Sequence, residues 1–163
     1  MLANLKITEY LEKTAEGTAV PGGGSVAALN AALAAGLTEM VAHLTIGKKG
    51  YEAVEEEMND IAGKTTELRE KLTAAIDRDA EAYSEVMAAF KLPKATDQEK
   101  DLRKLEIQRA FKHAALVPLE VAYKAVKVIN LAGRAIDGGN KNAVTDGVVA
   151  AMNARTAALA ALY

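Results

Sequence analysis

The chain has 163 residues, half of them apolar and only 4% aromatic, with no cysteine and with 20 basic residues set against 22 acidic ones. That length suits one domain with a sizeable core, and the absence of thiols excludes disulfides, zinc–thiolate centres and a cysteine nucleophile. A formal charge of −2 leaves no concentrated basic face of the kind that nucleic-acid binding needs.

Alanine, leucine, valine and methionine dominate the apolar set, which favours close helix packing over a sandwich of strands. Residues 5–14 read as a short first helix with Leu5, Tyr10 and Leu11 as its apolar contacts. It ends near Gly17, and residues 18–24 must be loop, because Gly22, Gly23 and Gly24 in succession do not sustain a helix. Ser25 fits as the N-cap of a second helix reaching about Ile46, with Gly47 and Gly50 marking its end. This second segment is the most apolar of the chain. Asn30, Glu39 and His43 interrupt it and alanine dominates it, so a buried helix of a soluble protein is expected rather than a membrane span.

Residues 51–92 form a third helix, in which Val54, Met58, Ile61, Thr65, Leu68, Leu72, Ala75 and Ile76 recur at spacings of three and four. At 1.5 Å per residue it would reach roughly 60 Å, so a kink or break is expected, with Gly63 its weak point. After a turn over residues 91–96, Thr96 caps a fourth helix and Glu99 completes a capping box. That helix covers residues 97–136 and is expected to kink at Pro118. Residues 137–140 make a tight turn, and a last helix runs from about Ala143 to the C-terminus. The expected fold is all-α: a single domain over residues 1–163, built as an antiparallel bundle of about five helices, some long and kinked. The first 12 residues contain no hydrophobic leader run, so a cytoplasmic location is expected.

Four groups of residues invite a chemical reading. Pro21, Gly22, Gly23, Gly24 and Ser25 lead into a helix of small residues, and free N–H groups at such a start suit an anion. The same glycines would equally serve only to let backbones pack closely. Asp77 and Asp79 lie mid-helix, where aspartate is disfavoured, and two residues apart they do not share a face. One of them held against the bundle seam would be an acid–base candidate, and a solvated charge run is the alternative. Asn140 and Asp146 bracket the last turn, where capping alone would explain them. Glu39 and His43 stand one turn apart, but no repeat of that pair supports a metal site.

Taken together, Pro21 to Ala28, Met40-Val41, Leu44-Thr45, Gly47-Lys48-Lys49 with Tyr51, Asp77 with Asp79-Ala80-Glu81-Ala82-Tyr83, Leu92-Pro93-Lys94, Val117-Pro118-Leu119, and Gly139-Asn140 with Asp146 form an ordered set. In order and spacing it resembles the formiminotetrahydrofolate cyclodeaminase / methenyltetrahydrofolate cyclohydrolase family. The resemblance implies an all-helical homodimer acting on one-carbon units carried by tetrahydrofolate. Such enzymes either close 5-formimidoyltetrahydrofolate to the 5,10-methenyl form with release of ammonia, or hydrolyse the methenyl ring to 10-formyltetrahydrofolate. The folate is then the substrate, with no prosthetic group and no membrane or nucleic-acid partner.

By the same resemblance the catalytic aspartate falls on Asp79, with Asp77 beside it. Gly22, Gly23, Gly24, Ser25, Lys48, Lys94, Asn140 and Asp146 are the expected substrate-binding positions. Ring closure requires proton transfer, and a carboxylate both shuttles protons and stabilises a cationic ring. Lys48, Lys49, Lys94 and Lys141 are candidates to receive the carboxylates of a glutamate tail. Family members usually continue into a further helix, so the chain is expected to be short at its C-terminus, with a dimer partner supplying the missing surface or the site incomplete. The Ala-rich helix from Val26 to Met40 is expected near the dimer interface. A catalytically silent folate-binding or dimerisation module is the alternative reading.

Overall fold

A computed structural model describes all residues, 1–163. Five α-helices follow in order, α1 (Ile7–Ala15), α2 (Gly23–His43), α3 (Glu55–Phe90), α4 (Asp97–Gly138) and α5 (Val144–Ala160), with single 3₁₀ turns at Leu2–Asn4, Glu52–Val54 and Lys141–Ala143. No strand is present, and the all-α bundle is as expected.

α2 is the hub, packing against α3, α4 and α5. Its alanines make this possible, since a methyl side chain lets neighbouring helix backbones approach closely. Ala28, Ala31, Ala34 and Ala35 have no exposed surface at all. They are therefore used in packing within the chain. α3 contributes the predicted stripe, with Met58, Ile61, Thr65, Leu68, Leu72, Ala75 and Ile76 all buried. α5 closes the bundle through Gly147, Ala150, Ala154 and Ala157, spaced three and four apart. At Gly147 the fit is so close that a Cβ would stand 2.6 Å from Ile136 Cγ1 on α4.

The element boundaries depart from the sequence reading at several points. α2 begins at Gly23, with Gly22 as its cap, so Ser25 is the third helical residue and not the N-cap. Glycine is tolerated there because the first-turn N–H groups have no helical partner in any case. α2 ends at His43 rather than near Ile46: the Thr45 and Ile46 amides both donate to the Ala42 carbonyl, and the Thr45 hydroxyl donates to Val41 O at 2.7 Å. Gly47 and Gly50 then adopt positive φ of 69° and 90°.

α3 runs 36 residues through Gly63 without a break, and α4 runs 42 residues through Pro118. Their length is accommodated because the two helices pair as a hairpin whose distal part extends past α2. A separate small cluster of Val86, Ala89 and Ala110 holds that distal part together. The capping box at the start of α4 is present: Glu99 N donates to Thr96 Oγ1 at 3.2 Å, and Thr96 N donates to Glu99 Oε2 at 2.9 Å.

Candidate functional site

The N-terminus of α2 abuts the middle of α3, and Asp79 sits at that contact. Ser25 Oγ lies 2.9 Å from Asp79 Oδ2 and 3.0 Å from the Ile76 carbonyl oxygen, with no solvent exposure of its own. The Asp79 carboxyl group lies directly over Gly24, where a Cβ would stand 2.6 Å from Asp79 Cγ. A half-buried carboxylate is thus held at the N-terminal, positive end of a helix. No lysine or arginine pairs with it: Arg78, its neighbour in sequence, turns to Glu120 on α4 at 2.6 Å.

Asp77 is placed differently. It is buried, and its two oxygens accept from the backbone amides of Leu2 and Ala3. This clasps the N-terminal turn to α3. The two aspartates face different parts of the chain, as their spacing requires.

Tyr10 joins them from α1. It is 7% exposed and its hydroxyl has no hydrogen-bond partner. Burial pushes the phenol above its ordinary pKa, and the charges of Asp79 and then Asp77 push it further the same way, so it remains a proton donor. Beside it lies an apolar cavity of 490 Å³ walled by Leu2, Tyr10, Leu29, Leu33 and Ile76. The sequence reading took Tyr10 only as an apolar contact, and no spacing rule distinguishes it from one.

The remaining expected positions lie elsewhere. Asn140 is buried at the far end of α2, where its amide nitrogen donates to Leu44 O at 3.0 Å, its backbone N–H donates to Thr45 Oγ1 at 2.9 Å, and its Oδ1 accepts from Asn142 N at 3.0 Å. All of these bonds strut the turn between α4 and α5. Lys48 stands over the Tyr51 ring, 5.9 Å from its centroid, and the Tyr51 hydroxyl accepts from Lys141 N at 3.0 Å. Asp146 lies in the first turn of α5, and Lys94 is exposed in the turn after α3.

α2 has 21 residues, so its ends are about 30 Å apart at 1.5 Å per residue. One chain therefore unites Gly22, Gly23, Gly24 and Ser25 with Asp79 and Asp77 at one end. It groups Lys48 and Asn140 at the other and leaves Lys94 apart from both. Glu39, raised above as a metal candidate, accepts instead from Arg69 Nε at 2.8 Å and Thr66 Oγ1 at 2.9 Å, and the arginine bond holds its carboxyl below the usual range.

Comparison with known proteins gives a consistent result. The family model described as formiminotransferase-cyclodeaminase matches residues 6–163. A methenyltetrahydrofolate cyclohydrolase of Methylorubrum extorquens is 42% identical over 163 residues, an alignment covering 98% of this chain and 78% of that protein. The formimidoyltransferase-cyclodeaminase of Rattus norvegicus is 30% identical over 162 residues, covering 99% of this chain but 30% of that longer protein. The crystal structure of a formiminotetrahydrofolate cyclodeaminase from Thermotoga maritima superposes with a TM-score of 0.87 at 33% identity, covering 99% of this chain and 77% of that one.

Proposed function

The chain belongs to the formiminotransferase-cyclodeaminase family, and from that premise we propose that it is an enzyme of folate one-carbon metabolism with Asp79 as its acid–base group. Its reaction is either the closure of 5-formimidoyltetrahydrofolate to the 5,10-methenyl form with loss of ammonia, or the hydrolysis of the methenyl ring to 10-formyltetrahydrofolate. The observation that carries this reading is the carboxylate of Asp79, set over Gly24 and against Ser25 at the start of α2 without a paired cation. A carboxylate so placed takes a proton from the attacking nitrogen or water and returns one to the departing group. Its charge also favours the cationic methenyl ring as that ring forms or opens. Asp77 serves in this reading as the clasp of the N-terminal turn.

The same reading makes the protein a cytoplasmic homodimer that takes its folate as substrate and needs no prosthetic group. Leu29, Leu33, Leu37, Met40 and Leu44 form an outward stripe along α2, of which Leu33 and Leu44 are 52% and 48% exposed. A two-fold axis through the middle of that stripe sets the Asp79 end of one copy beside the Lys48 and Asn140 end of the other. Lys48, Lys49 and Lys141 are then available to carboxylates of the substrate tail, as none of them pairs with an acid of its own chain.

The test is absorbance at the methenyl band with each folate in turn. Either substrate turning over, with an Asp79→Asn loss of about 10²- to 10⁴-fold in rate, supports the proposal. Turnover of neither, together with no binding below millimolar, overturns it in favour of a catalytically silent folate-binding or dimerisation module.

A further inference from the structure

The Ser25 hydroxyl has one proton and two acceptors within reach, Asp79 Oδ2 at 2.9 Å and the Ile76 carbonyl oxygen at 3.0 Å. A hydroxyl donates once and accepts twice, so it serves one of these oxygens at a time. Solvent does not reach it, which removes water as a third partner. Ile76 lies within α3, where its carbonyl keeps a second lone pair beyond its helical bond. The Ile76 oxygen is thus a standing alternative to Asp79.

We propose that Ser25 is a positioning residue for Asp79, turning its hydroxyl between Oδ2 and the Ile76 carbonyl so that both protonation forms of the carboxyl group are held in one place. The inference rests on the assignment of Asp79 made above. With Asp79 ionised, Ser25 donates to Oδ2. With the proton on Oδ2, the carboxyl O–H donates to Ser25 Oγ, and the serine proton swings to Ile76 O. Only a hydrogen moves. The proton that Asp79 gains comes from the attacking group and leaves with the departing one, while Ser25 keeps its own throughout.

An acid–base group that must act in both directions loses speed if either form is left unbonded, because a buried unpaired donor or acceptor is costly. The charged and titratable groups around the pair come from α1, α3 and the N-terminal turn. Asp77 approaches from α3 and Tyr10 from α1. Met1, Lys13, Glu81 and Glu85 rim the groove beside Asp77, and Arg78 is held away by Glu120. α2 brings only its helix terminus. This role also differs from direct substrate contact, which the burial of Ser25 prevents.

The experiment is Ser25→Ala in the full chain, assayed with whichever of 5-formimidoyl- and 5,10-methenyltetrahydrofolate the wild type converts. In parallel, the Asp79 carboxyl carbon is titrated by NMR in ligand-free protein labelled at aspartate. The expected result is a fall of about 10- to 100-fold in kcat, accompanied by a displaced Asp79 titration. KM should stay within about twofold, since Ser25 is buried and makes no contact with the substrate whose loss would weaken its binding. A change in KM alone would make Ser25 a substrate contact, and unchanged kcat with an unchanged titration would make it mere packing; either overturns the inference. If Ser25→Ala does not fold, Ser25→Cys keeps the shape, at slightly greater size, and weakens the donor, and is judged by the same two measurements. Should the wild type convert neither folate, the assigned reaction falls, and the titration still decides the relay.

Discussion

Gly24 is the position at which the site tolerates least. A Cβ there would stand 2.6 Å from Asp79 Cγ, so even alanine must push the carboxylate off its seat at the start of α2. Displacement of a reacting group by about 1 Å costs on the order of 100-fold in rate. Gly24→Ala is accordingly expected to lose at least about that factor in kcat while circular dichroism still reports a folded bundle. The triple glycine was visible in the sequence, but which of the three is obligatory was not. Gly23 has open space and Gly22 meets only the Ala19 carbonyl, at 3.1 Å. The constraint on Gly24 comes from a residue far along the chain, and only the packing of α2 on α3 creates it. Ser25 and Asn140 teach the same lesson from the other side. Each looked like a cap; Asn140 is one, over the 3₁₀ turn that follows it, and the structure gives both a further set of buried bonds to a distant element.

Among the elements, the paired length of α3 and α4 depends on features that act far from the site. Gly63 sits inside α3 with nothing within 4 Å of a would-be Cβ, so it contributes only backbone freedom to the unfolded chain. Gly63→Ala should raise stability by about 0.5–1 kcal/mol in denaturant titration and leave turnover unchanged. The expected break at Gly63 failed for this reason: a weak helix former in a well-packed helix costs too little to end it. Helix count, the α3 stripe and the Thr96 capping box were legible because each rests on local periodicity or local bonds. The boundaries of α2 were not, because its first turn packs on Asp79 and its last is closed by the Thr45 and Ile46 bonds.

α3 and α4 are also tied by Glu120, which accepts from Arg78 at 2.6 Å and from Lys124. Those bonds, Arg78 first, lower its pKa from 4.5 to about 2. A depressed carboxylate stabilises the fold fully above its unfolded value and loses that contribution as pH falls through the folded one. Glu120 is 40% exposed, so screening limits the effect to about 1 kcal/mol or less. Wild type should therefore exceed Glu120→Gln in stability at about pH 6, and the difference should vanish toward about pH 2. A difference that persisted there would assign the effect to packing.

For the molecule as a whole, the apolar surface sets the problem. Leu33, Leu44, Leu116, Tyr123, Val149 and Met152 are all between 46% and 67% exposed, and apolar surface exposed in patches marks sites of association. Leu33→Glu, at the most exposed position of the α2 stripe, should give a monomer by light scattering and lose turnover with it. A wild type that is already monomeric at micromolar concentration, with melting independent of dilution, would defeat the dimer proposal. Because α2 is the helix on which α3, α4 and α5 all rest, its amides belong to the last segment to exchange with deuterium, and Asp79 has no platform that loosens early. Inactivation and global unfolding should then be one event: on a denaturant titration, catalysis disappears along the helicity curve and not ahead of it, in contrast to enzymes whose reacting groups ride on loops.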